Sequence, residues 1–177
     1  KPSIVSFIKT LWVPGFRYLF VYRAIQSSRS KIILILLKFI LRHYQFKFGY
    51  QIPPSTKIDK GLLLGHFGTI IINSEATIGK NCNIGAGVVI GQASRGHRKG
   101  NPSIGNNVWI GVNAIIVGKI NIGNNVLIAP GSYVNQDIPS NSIVVGNPCK
   151  IKHSSDATLG YINRVYENKD NSAESKN

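Results

Sequence analysis

Two of the four histidines in this 177-residue chain lie where an imidazole could do acid–base chemistry. His66 lies in the run Leu64-Gly65-His66-Phe67-Gly68, whose small residues let a substrate approach. His97 lies in the polar, basic stretch of residues 92–102. Imidazole titrates near neutral pH and can take a proton from an alcohol, which does not ionise unaided. His43 lies within a basic N-terminal segment and His153 ends the repeat region, so both are less suggestive of a site.

A six-residue repeat of aliphatic anchors runs through the chain and must position these histidines. A period of six fits neither an α-helix nor a flat strand, whose side chains recur every 3.6 and 2.0 residues. It fits a triangular coil in which each face takes six residues and each turn takes eighteen. The thirteen anchors are Ile52, Ile58, Leu64, Ile72, Ile78, Ile84, Ile90, Ile104, Ile110, Ile116, Ile122, Ile128 and Val134.

The residues between the anchors suit a narrow coil with tight corners. The fifth position of the repeat is small or β-branched, so it fits beside the anchor: Thr56, Ala76, Cys82, Val88, Val108, Ala114, Val126 and Ser132. Cys82 is therefore interpreted as a core residue. Asn tolerates left-handed backbone conformations, and Lys80-Asn81, Asn106-Asn107 and Asn124-Asn125 are predicted at corners.

Two irregularities interrupt the repeat. Leu64 and Ile72 are two residues farther apart than one repeat, and the extra residues fall at His66. Ile90 and Ile104 are fourteen residues apart, two more than two repeats, so residues 92–102 are predicted to leave the coil as a loop. The expected organisation is a basic helical region over residues 1–50, a coil over 51–153, and a C-terminal helix and tail over 154–177.

The N-terminal region carries much of the net charge of +14. Residues 1–50 contain nine Lys or Arg and no acid. We expect helices over residues 4–25, broken at Pro14-Gly15, and over residues 31–48. Their apolar runs are too short to span a bilayer, which takes roughly 20 residues. These helices either lie on an anionic membrane surface or pack on the coil or a neighbouring subunit, and both are compatible. No nucleic-acid-binding motif accompanies the charge.

The repeats resemble those of a known family. The run Ile78-Gly79-Lys80-Asn81-Cys82-Asn83-Ile84-Gly85 and residues 104–132 resemble the hexapeptide repeats of left-handed β-helix acyltransferases. Residues 52–68 resemble serine acetyltransferases and related surface-polysaccharide O-acetyltransferases. The run Val145-Gly146-Asn147-Pro148-Cys149-Lys150-Ile151 resembles the Gly-X-Pro-Ala-(Lys/Arg) ending of the coil. The resemblance implies a mainly β fold, a left-handed parallel β-helix with a short helical N-terminal region.

The resemblance also implies an acetyl-CoA-dependent acyltransferase with its sites between subunits of a homotrimer and with no metal. His66 matches the family's general base. By resemblance, Gly91, Val112, Ala129 and Pro130 lie near the pantetheine arm, and Lys150 and Lys152 lie near the nucleotide. Two cysteines sixty-seven residues apart make no disulfide framework, which favours the cytoplasm. Peripheral contact of residues 1–48 with the inner face of the membrane is compatible with that location.

The chain departs from serine acetyltransferases at two single positions and one pair of positions. The Asp fifteen residues before the catalytic His is Gln51 here, and the Asp directly before it is Gly65. The Arg-His pair that grips the acceptor carboxylate is replaced by Gly100-Asn101. A backbone carbonyl, Asp59 or Glu75 would then have to orient His66. The expected acceptor-binding residues are Gln51, Arg95, His97, Arg98 and Asn101.

These departures favour a saccharide hydroxyl as the acceptor, in a capsular or surface polysaccharide or its precursor. Serine O-acetylation for cysteine biosynthesis is the alternative. A metalloenzyme on the same coil would need three histidines at a subunit boundary, which His66 and His97 do not supply. A non-catalytic scaffold remains open because the Asp is missing.

Overall fold

The computed structural model describes residues 8–166. Residues 8–10 are helical. After them, the helices α1 (Pro14–Ser27) and α2 (Lys31–Phe48) precede the coil. The strands are β1 (Tyr50–Gln51), β2 (Lys57–Ile58), β3 (Leu63–Leu64), β4 (Ile70–Ile72), β5 (Thr77–Ile78), β6 (Asn83–Ile84), β7 (Val89–Gly91), β8 (Ser103–Ile104), β9 (Val108–Ile110), β10 (Ile115–Val117), β11 (Asn121–Ile122), β12 (Val126–Ile128), β13 (Tyr133–Val134), β14 (Ser142–Val145) and β15 (Lys150–His153).

The strands form three parallel sheets, one on each side of a triangular coil. Sheet A contains β1, β4, β7, β10 and β13, and sheet B contains β2, β5, β8 and β11. Sheet C contains β3, β6, β9, β12 and β14, with β15 antiparallel at its edge. Ile72 pairs with Ile90, eighteen residues on. The left-handed parallel β-helix with a helical N-terminal region is confirmed.

The sides of the coil meet at three corners. The C–A corner comprises the turns that lead from a strand of sheet C to the next strand of sheet A, such as β3 to β4. The A–B corner comprises the turns from sheet A to sheet B, such as β7 to β8. The B–C corner comprises the turns from sheet B to sheet C, such as β5 to β6.

The repeat positions fill the interior as the spacing predicts. All thirteen anchors are buried, with at most 6% of any one exposed. The eight residues at the fifth position are fully buried beside them. Cys82 is one of these, and burial raises the pKa of its thiol to about 12. The thiol therefore stays protonated at neutral pH, as expected of a core residue.

Asparagines make the tight corners. Asn81, Asn107 and Asn125 lie at the B–C corner with φ of 56°, 54° and 52°, which is the left-handed region. Asn106, which precedes Asn107, also links two successive turns, since its Oδ1 atom accepts from the backbone N–H of Lys80 at 2.7 Å. The corner assignments made from the sequence are therefore confirmed.

Helix α1 closes the first turn of the coil. The Tyr18 hydroxyl donates to the carbonyl of Ile52 at 2.6 Å, and the Tyr22 hydroxyl donates to the carbonyl of Thr56. The Arg23 guanidinium donates to the carbonyls of residues 58 and 59. The first turn of the coil has no preceding turn to pair with its backbone groups. Side chains of α1 donate hydrogen bonds to the carbonyls of this turn instead.

The helical predictions agree with the structure where it can be compared. α2 occupies the expected residues 31–48 and is followed by the C-cap Gly49, whose φ is 78°. Pro14 is the first residue of α1, because proline is favoured in the first helical turn, where its missing N–H needs no partner. The earliest part of the expected helix, residues 4–7, lies outside the described residues.

The long irregularity is larger than the sequence suggested. Ile78 pairs with Ile104, twenty-six residues on, so one turn here contains eight extra residues. The reading as two repeats plus two residues was wrong. The segment does leave the coil as the expected loop, because its polar residues supply no anchor for another face.

The C-terminal segment contains no helix in its described part. Residues 155–161 form turns and 162–166 have no regular structure, where we had expected a helix. Corner asparagines take the backbone groups that a helix would use. Asn125 accepts from the N–H of Thr158, and Asn81 accepts from the N–H of Tyr166. Gly160, with φ of 78°, also breaks a right-handed path.

Candidate active site

The C–A corner stacks several of the predicted site residues in one column. His66 lies in the turn from β3 to β4, Val112 in the turn from β9 to β10, and Ala129-Pro130 in the turn from β12 to β13. Paired strands are about 4.8 Å apart. Three such spacings separate the level of His66 from that of Pro130, a span of roughly 14 Å. An extended ligand can therefore follow this corner along the coil.

Glycine lets successive turns approach closely at this corner. A Cβ on Gly85 would lie 2.8 Å from the backbone nitrogen of Val112, and one on Gly111 would lie 2.5 Å from that of Pro130. Val112 and Pro130 are themselves exposed. The corner therefore presents backbone and small apolar groups to solvent rather than long side chains.

The His66 backbone is held from inside the coil. The hydroxyl of Tyr50 donates to the His66 carbonyl at 3.1 Å. Tyr50 is fully buried, and burial raises the pKa of its phenol to about 12, so the hydroxyl remains a donor at neutral pH. The His66 side chain is exposed and makes no hydrogen bond to any of residues 8–166. Its imidazole is thus free to meet a substrate.

The acids considered as partners for His66 lie at other corners of the same chain. Asp59 follows β2 at the B–C corner, and Glu75 follows β4 at the A–B corner.

The Gln51 side chain is exposed on the outer surface of sheet A and lines a groove of about 720 Å³. Phe46 and Asn73 also line that groove.

The loop of residues 92–102 is an ordered hairpin at the A–B corner. Ala93 and Gly100 form an antiparallel bridge with two hydrogen bonds of 3.0 Å. The backbone N–H of Lys119 donates to the Arg98 carbonyl at 2.8 Å. The Arg98 guanidinium pairs with Asp137 at 3.3 Å. The hairpin is therefore tied to the next turn of the coil.

The charged and amide groups of this loop divide into anchors and exposed groups. The pKa of the Asp137 carboxyl is lowered mainly by the hydrogen bond that it accepts from the backbone N–H of Asn121. The hydrogen bond from the Arg98 guanidinium lowers it further. Asn101 donates to the Glu75 carboxylate at 3.1 Å. Arg98 and Asn101 are therefore engaged in holding the loop.

Arg95 and His97 are the two expected acceptor-binding residues of the loop that remain available. Both are exposed, and neither side chain hydrogen-bonds to any of the described residues. They line a pocket of about 240 Å³ with Val117 and Tyr133 of sheet A. The pocket thus combines two basic groups with an apolar wall.

The predicted site residues fall into two groups at opposite corners of sheet A. His66, Val112, Ala129 and Pro130 lie at the C–A corner, whereas Gly91 and the loop lie at the A–B corner. Lys150 and Lys152 lie on β15, exposed at the edge of sheet C. One protomer does not bring the two groups into one site.

The outer surface between the two corners is largely apolar. Paired positions of neighbouring strands place Gln51, Ile71, Val89, Ile115 and Tyr133 in one row on sheet A. The corresponding row on sheet B is polar: Lys57, Thr77, Ser103 and Asn121. Sheet A is therefore better suited to pack against protein.

Sequence reasoning missed two residues that hold the site, Tyr50 and Asp137. Tyr50 is two residues before the anchor Ile52, so strand alternation points both inward, and this spacing was a usable signal. Asp137 lies thirty-nine residues from Arg98, and nothing in the sequence pairs them. Among residues 8–166, no group of three His, Cys, Asp or Glu could hold a metal.

Comparison with known proteins identifies the fold family. Residues 101–136 match the family described as bacterial transferase hexapeptide (six repeats), and residues 75–92 match the hexapeptide repeat of succinyl-transferase. A serine acetyltransferase of Synechococcus elongatus is 30% identical over 145 residues, covering 82% of this chain and 59% of that protein. The chain belongs to the left-handed β-helix acyltransferase family, within which it is similar to the serine acetyltransferases.

Solved structures agree with this placement. The serine acetyltransferase of Neisseria gonorrhoeae in complex with serine superposes with a TM-score of 0.68 at 32% identity, over 82% of this chain and 59% of that one. The Brucella abortus enzyme in complex with coenzyme A superposes with a TM-score of 0.69 at 26% identity, over 81% and 57%. The chain spans less than two thirds of the length of these serine acetyltransferases.

The comparisons correct the prediction of the acceptor. Relatives that are 30–38% identical to the chain are serine acetyltransferases, so the prediction of a saccharide acceptor was wrong, and the alternative, serine, is the better supported. The error came from treating the absent Asp and Arg-His residues as evidence about the acceptor. The loop retains Arg95 and His97, which can bind a carboxylate from other positions.

Proposed function

We propose that this acyltransferase is a serine O-acetyltransferase that moves the acetyl group of acetyl-CoA to the serine hydroxyl. The observation that carries this proposal is the similarity over 82% of the chain to serine acetyltransferases. The exposed imidazole of His66 beside a backbone-lined corner supports it, because the reaction needs a base next to an extended thioester.

The reaction is a direct transfer. A nitrogen of the neutral His66 ring accepts the proton of the serine hydroxyl as that oxygen attacks the thioester carbonyl. Backbone N–H groups of the corner stabilise the oxyanion of the tetrahedral intermediate. The carbon–sulfur bond then breaks, and the imidazolium returns its proton to the CoA sulfur. The products are O-acetylserine and CoA, and the histidine is regenerated.

The thioester donor lies along the C–A corner in this proposal. The pantetheine arm runs past Ala129-Pro130 and Val112 toward His66, over a span of roughly 14 Å. The exposed amines of Lys150 and Lys152 meet the phosphates at the far end. The Brucella relative was solved with coenzyme A, which supports such a site in this fold.

A homotrimer completes the site. The apolar outer row of sheet A packs against neighbouring copies, and each boundary joins the C–A corner of one copy to the A–B corner of the next. Gly91, Arg95 and His97 then face His66 across the boundary, and the basic side chains bind the serine carboxylate. Closed rotational symmetry is the usual form of such homo-oligomers.

Release of CoA thiol tests the proposal directly. The purified chain is given acetyl-CoA with L-serine, and free thiol is followed with a disulfide reagent. We expect serine-dependent thiol release and O-acetylserine as the product. D-serine, which has the same groups in the wrong arrangement, and L-alanine, which lacks the hydroxyl, are the matched controls. Thiol release that is equal with serine and alanine would contradict the proposal.

A further inference from the structure

The outer side of α2 is covered with exposed apolar side chains. The inward side is formed by residues three or four apart, and it packs on the core: Leu34, Leu37, Leu41, Tyr44 and Phe48. The α2 outer face is the opposite side, made of Ile32, Ile33, Ile35, Leu36, Phe39, Ile40 and Phe46. Ile32, Phe39 and Phe46 are 73%, 69% and 75% exposed. A contiguous apolar patch of this kind marks a binding surface.

Basic residues border the α2 outer face. Lys31, Lys38 and Arg42 are seven and four residues apart, so they lie along one flank of the helix, and all are exposed. The guanidinium of Arg42 lies 5.2 Å from the centre of the Phe46 ring. Lys47 is on the other flank. The surface is therefore mainly apolar along its centre, where the exposed His43 is the one polar side chain between Phe39 and Phe46, and it is positive at its edges.

The charge pattern argues against a second copy of the chain as the partner. Symmetric pairing brings like residues together, and residues 1–50 contain no acid to neutralise the cations of either copy. The first acid is Asp59. Of the four acids in residues 51–166, Glu75 and Asp137 already bind Asn101 and Arg98, which leaves only Asp59 and Asp156 to meet the cations of another copy.

An anionic lipid surface matches both parts of the α2 outer face. Acyl chains receive the apolar side chains and headgroup phosphates receive the basic ones. Among residues 8–166, no helix is long and apolar enough to cross a membrane, so α2 would lie in the plane of the interface. We propose that the α2 outer face binds the surface of an anionic phospholipid bilayer. This inference does not depend on the acetyl-transfer reaction.

Vesicle flotation with the full chain tests this inference. The probes are vesicles of phosphatidylcholine alone and of equal parts phosphatidylcholine and phosphatidylglycerol. We expect flotation with the anionic vesicles, weak flotation with the neutral ones, and loss of part of the binding at high salt. Failure to float with anionic vesicles would overturn the proposal.

Paired variants separate the two components. L36S/F39S removes apolar contacts and is expected to weaken binding at least about tenfold. Its control, L159S/V165S, removes exposed apolar residues of the C-terminal segment and should bind normally. K38Q/R42Q removes two charges and should weaken binding to anionic vesicles about thirtyfold. Its control, K57Q/K119Q, makes the same change in net charge on the coil.

The oligomeric state decides between lipid and a second copy. Circular dichroism first establishes that each variant is folded, which we expect because the substituted side chains are exposed. Sedimentation of the wild-type chain and L36S/F39S then follows without lipid. Equal assemblies together with lost flotation support the bilayer. A larger wild-type assembly that L36S/F39S dissociates, without flotation of either, would show that the face binds another copy.

Discussion

The two corners that border sheet A are built by different means. At the C–A corner the backbone turns stack so closely that Gly85 and Gly111 leave no room for a side chain. At the A–B corner an eight-residue insertion forms a hairpin, held by one ion pair and a few hydrogen bonds. One corner is fixed by the repeat itself, and the other is an addition to it.

This difference suggests a division of labour. A rigid corner lined with backbone suits the part of a reaction that is common to the whole family, here the thioester and its base. A loop whose exposed side chains are Arg95 and His97 suits the part that varies, the acceptor. Variants at the two corners should therefore fail in different ways.

The largest effect is expected at the C–A corner. His66→Ala removes the proposed base, and we expect kcat for serine acetylation to fall roughly 10²- to 10⁴-fold with the fold retained. Thiol release measures the rate, and circular dichroism the fold. His43→Ala removes a histidine from α2 and serves as the control. An unchanged rate in His66→Ala would remove this residue from the mechanism.

The A–B corner should affect binding more than rate. R95Q/H97Q removes the proposed carboxylate partners, so we expect the KM for serine to rise about tenfold or more while kcat changes less. Steady-state kinetics with varied serine measures both constants. R29Q/H43Q makes the same substitutions on the helical region and should leave both unchanged. A KM that stays constant in R95Q/H97Q would mean that other groups hold the carboxylate.

The sequence alone predicts the coil but only part of the site. The same triangular cross-section repeats along the coil, and an anchor fills its interior on each side. Thirteen anchors in phase were therefore enough to assign the fold, the buried residues and the asparagine corners. The corner on which each candidate lies was also within reach, because every third repeat returns to the same sheet. That phase is lost at residues 92–102 unless the loop is known to contain eight extra residues.

Contacts between distant segments could not be predicted in this way. The Tyr50 hydroxyl donates to the carbonyl of His66, sixteen residues along the chain and inside the two-residue insertion. The pairing of Arg98 with Asp137 depends on how the hairpin folds back. No periodicity encodes either contact. The conformation of the C-terminal segment likewise depends on distant contacts, because its backbone hydrogen-bonds to Asn125 and Asn81 and does not form the expected helix.

Close stacking of the turns at the C–A corner should also be detectable in stability. Gly111→Ala places a Cβ 2.5 Å from the backbone nitrogen of Pro130, so a turn must shift, and we expect a loss of roughly 1–3 kcal/mol in the free energy of unfolding. Urea unfolding at fixed protein concentration measures it. Gly65→Ala is the matched control, since Gly65 also follows an anchor at the C–A corner and its Cβ would meet no atom within 4 Å. Equal losses in the two variants would contradict close stacking as the cause.

The smallest effect is expected where the hairpin is tied down. Asp137→Asn weakens the pairing with Arg98, and the Lys119 N–H, which donates to the Arg98 carbonyl, reports whether the hairpin stays docked. We expect this amide to exchange about two- to fivefold faster, because an exposed ion pair contributes little, with the global unfolding midpoint unchanged.

The same pairing should depend on pH. The pKa of Asp137 is lowered in the folded chain, so its contribution to stability is present above the usual aspartate pKa and is lost as the pH falls through the lowered value. The exchange of the Lys119 amide in the wild-type chain should therefore become similarly faster at acid pH, after correction for intrinsic exchange. Asp137→Asn, which has already lost the carboxylate, should show no further increase on acidification. If Asp137→Asn instead lowered the unfolding midpoint as much as Gly111→Ala, the hairpin would be part of the coil's cooperative unit rather than an addition to it.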